Sequence, residues 1–120
     1  MSQTDILKRN IDNLYTQIKD AQGANRKRLF IAYVKEIVAM GNSNTWKLET
    51  CGYEIMRCIW FDDLTQDKEL ESIFDIACEL EKNQEISYAQ PIVSWNADTA
   101  DKIKKEEWNR LLNVLQKFRI

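Results

Sequence analysis

Four carboxylates recur at four-residue spacing, Asp67, Glu71, Asp75 and Glu79. On a continuous helix that spacing stacks them on one face, beside the apolar stripe. Like charges so placed each cost a helix about 0.2–0.5 kcal/mol, which the positive helix N-terminus offsets only for the first one or two. Such a face suits a basic partner, whose complementary charge raises association rate and specificity more than affinity. The plain alternative is a solvated face, paired with a lysine from a neighbouring helix. Asp62 and Asp63 extend the acidic run, and between Asp62 and Glu85 nine acids meet only Lys68 and Lys82. A divalent-cation site is disfavoured, because the loop spacing of an EF-hand is absent and helical carboxylates alone do not converge on an ion. The opposite charge gathers at Arg26, Lys27 and Arg28, with Lys8, Arg9 and Lys19 ahead of it. No phosphate loop, zinc finger or interleaving of aromatic and basic residues accompanies these, so nucleic-acid binding is not expected.

The chain contains no histidine. That absence removes Ser-His and Cys-His nucleophile pairs, the histidine general base, and His-containing zinc and di-iron sites. No catalytic residue, cofactor or metal is expected. Cys51, Cys58 and Cys78 are odd in number and form no CxxC pair, so they read as reduced thiols of a cytoplasmic protein. Cys51 and Cys58 are seven apart, a core-like spacing for small buried hydrophobes. Four tryptophans, Trp46, Trp60, Trp95 and Trp108, are suited to cores and to interface hot spots alike. In the pair Trp60-Phe61, adjacent residues must point in different directions, one inward and one to solvent.

Helices must position these groups. The 120 residues hold 3 Gly and 1 Pro, too few for a fold of many tight turns. Hydrophobic residues at 44% and charged residues at 30% are ordinary for one globular domain, here residues 1–120. The net charge of −2 divides unevenly: residues 1–60 carry 9 basic and 6 acidic residues, and residues 61–120 carry 8 and 13. No signal peptide or lipidation motif is visible, and the longest apolar stretch is too short to cross a membrane.

The periodicity predicts an all-α single-domain bundle of about five helices. The first runs from Asp5 to Asp20, on the stripe Ile6, Leu7, Ile11, Leu14, Tyr15 and Ile18. The second, Asn25 to Met40, is apolar nearly all round and so belongs at the centre, with Gly41 as its stop signal. The third starts near Thr45, capped by Asn44, and runs through Trp60 to Asp62 and Asp63. Gly52 inside it costs about 1 kcal/mol relative to Ala, which close helix packing would explain. The fourth spans Thr65 to Lys82, and the fifth Thr99 to Phe118, capped by Asp98. Between these two lies a long apolar loop, residues 83–97, with Ile86, Tyr88, Pro91, Ile92, Val93 and Trp95. A loop of this length either packs over the core, forms a short strand, or binds a partner through Tyr88 and Trp95.

Three segments, Leu70-Glu71-Ser72-Ile73-Phe74, Ala77-Cys78-Glu79-Leu80-Glu81 and Leu111 to Phe118, faintly resemble small helical bacterial immunity proteins that neutralise nuclease toxins. The resemblance covers less than half of the chain. It implies an acidic, non-catalytic inhibitor whose residues Asp62 to Glu85 face a basic partner. The residues themselves leave open an adaptor or complex subunit binding through apolar surface (residues 83–97, Trp60-Phe61), or a small-ligand-binding regulatory domain. A homodimer is compatible with each.

Overall fold

A computed structural model describes residues 3–81 and 97–118. The elements in chain order are α1 (Gln3–Asp20), α2 (Gly23–Asn42), α3 (Leu48–Met56), a 3₁₀ turn (Arg57–Trp60), α4 (Asp62–Thr65), α5 (Glu71–Glu81) and α6 (Ala97–Leu115). The fold is all-α, with no strand among the described residues. The predicted loop, with Tyr88 and Trp95, lies outside the described residues up to Ala97, which opens α6. No helix among the described residues is long and apolar enough to cross a membrane.

One continuous core joins the helices. The predicted central helix is central: α2 packs against α1, α3, α4 and α6. It buries Phe30, Ile31, Tyr33, Val34, Ile37, Val38 and Met40. Phe30 stacks on Phe74 of α5 with ring centroids 5.1 Å apart. From α1, Ile11 and Ile18 enter the core while Leu14 and Tyr15 pack at its edge. The α6 stripe supplies Trp108, Leu111 and Leu115, but Ile103 stays largely exposed.

Several boundaries differ from the sequence reading, among them the start of α6 at Ala97, ahead of the predicted cap Asp98. Gly41 does not stop α2, which continues to Asn42. Gly41 lies buried in the last turn of α2, where a Cβ would run into the Trp108 ring. The stop is Asn44, whose φ is 59°. The Asn44 N–H donates to Gly41 O (3.0 Å) and the Thr45 N–H to Met40 O (3.0 Å). This is the paired closure of a helix C-terminus by one left-handed residue, a conformation that Asn tolerates. Asn44 therefore ends α2 and does not cap α3, which starts at Leu48 without a side-chain cap.

The third predicted helix tightens after Met56 into the 3₁₀ turn and ends at Phe61, which is extended. The fourth divides in two. Asp67 leaves the helical path: its carboxylate accepts the Glu69 N–H (2.8 Å) and its carbonyl the Leu70 N–H (3.0 Å). A short side chain that bonds its own downstream backbone favours a turn over a helix. Asp67 thus precedes α5, and only Glu71, Asp75 and Glu79 share that helix.

Gly52 has the predicted reason for its place. A Cβ there would lie 2.6 Å from Ala77 O, 2.7 Å from Glu81 N and 2.8 Å from Leu80 Cβ. The missing side chain lets the backbones of α3 and α5 approach each other closely.

Candidate interaction surface

The acidic run separates into two groups. Asp63 and Asp67, with Glu69, turn inward onto the basic start of α2. The Arg26 guanidinium grips both Asp63 oxygens, at 3.0 and 3.2 Å. Its other nitrogens donate to Ile18 O (2.9 Å) and Lys19 O (3.4 Å), carbonyls of the last turn of α1. Asp63 Oδ2 also accepts the Gly23 N–H (3.3 Å). A carboxylate forty residues downstream thus satisfies an orphan donor at the α2 N-terminus, where negative charge is favoured. Lys27 Nζ lies 3.0 Å from Asp67 Oδ2 and 2.6 Å from Glu69 Oε1. Hydrogen bonds to Glu69 and then Asp67 raise the Lys27 pKa above its ordinary value.

Arg26 and Lys27 are therefore spent within the molecule, and with them much of the basic cluster singled out in the sequence. Arg28 remains exposed and, among the described residues, bonds to Asn25 Oδ1 at the edge of hydrogen-bond range, 3.5 Å. The second acidic group is Glu71, Asp75 and Glu79, all exposed on α5. Asp62 is exposed in the first turn of α4.

The 3₁₀ turn carries the most exposed large hydrophobic side chain among the described residues. Trp60 is 80% exposed, with Tyr53 at 57% and Ile59 at 38% nearby in sequence. Its neighbours are pinned. Cys58 is fully buried, and Phe61 packs against the core edge with Arg26 over its ring at 4.5 Å. Arg57 lies over the Tyr15 ring at 4.1 Å and pairs with Glu54 at 2.8 Å. The Tyr33 hydroxyl donates to Glu54 O at 2.8 Å. Burial, then nearby charge, raises the Tyr33 pKa and keeps that proton in place. The pair Trp60-Phe61 divides as expected, Phe61 inward and Trp60 outward. The network beneath it was not legible: Tyr15, Tyr33, Glu54 and Arg57 come from four elements, and local spacing links only Glu54 to Arg57.

Cys51 and Cys58 are buried and Cys78 is exposed. Burial pushes both inner thiols up to about 12, Cys51 with its Sγ 3.7 Å from Ile37 O. A thiol protonated at neutral pH is a poor nucleophile. Among the described residues no three Cys, Asp or Glu side chains come together as a metal site would require. Trp108 is buried, its Nε1–H donating to Asn42 Oδ1 at 2.9 Å. Comparison with family models, curated proteins and solved structures returned no match.

Proposed function

We propose that the chain is a non-catalytic protein-interaction module that docks a partner through the face presented by the 3₁₀ turn. The observation that carries this reading is Trp60, an indole left in water on a turn whose two flanks are tied to the core. A rigid aromatic on a preorganised backbone loses little freedom on binding, which is why Trp is enriched among interface hot spots. The test is affinity capture with the tagged chain from its native host, at low and high salt, using wild type and Trp60→Ala. A near-stoichiometric partner should be captured, and its recovery should fall about tenfold or more in the variant, as for truncated hot spots. Equal recovery by Trp60→Ala would sink the reading.

The second reading is an inhibitor of the immunity type that meets a basic partner through α5. Its support is the exposure of Glu71, Asp75 and Glu79 along one helix, in the segment that carries the resemblance. Under it, Glu71→Lys with Asp75→Lys abolishes capture and the wild-type complex washes off with salt. Asp67 is not a suitable member of that variant, since reversing it would break its pairing with Lys27.

A further inference from the structure

The charges around the 3₁₀ turn cancel in pairs until one is left. Glu54 is balanced by Arg57 at 2.8 Å and Asp63 by Arg26 at 3.0 Å. Asp62, two residues beyond Trp60, is exposed and enters no ion pair among the described residues. The turn therefore offers an uncovered indole and one uncompensated carboxylate close together in the chain. Aromatic rings nearby in the fold already hold cations. Tyr15 carries the Arg57 guanidinium at 4.1 Å with Lys19 Nζ farther off at 5.9 Å, and Phe61 carries the guanidinium of Arg26 at 4.5 Å. Among the described residues no cation stands over Trp60, although indole is the best of the three rings for one.

We propose that Trp60 receives an arginine side chain from a partner protein, with Asp62 as its counter-charge; this rests on the docking reading of the 3₁₀ turn. A guanidinium is planar and weakly hydrated, so it stacks on an indole while its edge forks to a carboxylate. A lysine ammonium is a compact, strongly hydrated point charge and does this less well. A purely apolar ligand would leave Asp62 without a partner at the edge of the contact. The occupant is thus an arginine-bearing segment.

Oligoarginine and oligolysine peptides of equal length and charge test this, with Kd from fluorescence anisotropy and the four indole N–H resonances of the labelled protein as a site-resolved readout. Oligoarginine should bind more tightly than oligolysine and shift the Trp60 resonance. Trp60→Ala should weaken oligoarginine about three- to fivefold, the scale of an exposed cation–π contact, and reduce the preference over oligolysine. Asp62→Asn should weaken it about twofold. Glu71→Lys with Asp75→Lys should weaken both peptides and preserve the preference. Because Trp60 is 80% exposed, its replacement leaves the core unchanged. Equal affinity for the two peptides, or an unmoved Trp60 resonance, would overturn the arginine assignment. If Trp60→Ala still loses the native partner in that case, the docking reading stands without it; if that variant loses neither, both fall.

Discussion

Gly52 decides a distance. By helix propensity alone Gly52→Ala should stabilise α3 by about 1 kcal/mol. The new methyl would instead meet Ala77 O at 2.6 Å and Glu81 N at 2.7 Å, backbone atoms that cannot rotate away. We expect a net loss of about 1–3 kcal/mol, as for other overpacked contacts, read as a lower urea midpoint with an unchanged slope. An unchanged or raised midpoint would mean that α3 and α5 separate without cost. The position was legible before the structure, because a glycine inside an apolar helical stripe asks for a steric reason. Gly41 was not. Its place just after an apolar run has the look of a stop signal, and only the Trp108 ring, brought in by α6, shows why the helix passes through it.

Among the elements, periodicity located the helices but not their ends. The stripes of α1, α2, α5 and α6 lie where the apolar spacing puts them apart from Ile6 and Ile103, which stay exposed near the helix starts, since burial enforces a period of 3.6. The division before α5 turns on Asp67, whose carboxylate competes for backbone N–H groups, a contest that spacing does not register. The same segment shows why the acidic stripe was only half legible. A carboxylate's partner lies wherever the chain returns, and for Asp63 and Asp67 that place is the start of α2. Asp63→Ala removes both the Arg26 pair and the acceptor for Gly23 N–H. Both groups are partly exposed, so the loss should be about 1 kcal/mol at low salt, shrinking as salt rises. Thermal melts of both proteins across a salt series would show it; a difference independent of salt would argue against an electrostatic clasp.

At the scale of the whole molecule, α6 is held to the rest by a few directional contacts as well as by its apolar stripe. Lys104 is nearly buried and pairs with Glu49 at 2.7 Å, tying α6 to the first turn of α3. Lys35 donates to Phe118 O at 2.8 Å beyond the helix end. Trp108 fills the space over Gly41 and bonds to Asn42. Removing Lys104 leaves Glu49 partly buried without its cation. Lys104→Ala should cost about 2 kcal/mol, the scale of a hydrogen bond to a charged group. The opening should be uneven, with amide exchange accelerating in α6 more than in α3 or α5. Uniform acceleration would show instead that α6 opens only with global unfolding. A lysine on the inner face of a helix carries no sign of this role in the sequence, where Lys104 sits among Lys102 and Lys105 as one of several surface-like charges.

The three thiols are sorted by depth, two sealed where α2, α3 and the 3₁₀ turn meet and one on the outer side of α5. The molecule thereby holds an internal clock and its reference. Cys78 consumes a thiol reagent without any opening of the fold, whereas Cys51 and Cys58 consume it only during the intervals when the helices part. The ratio of those rates measures how often the interior is breached, without any label being added.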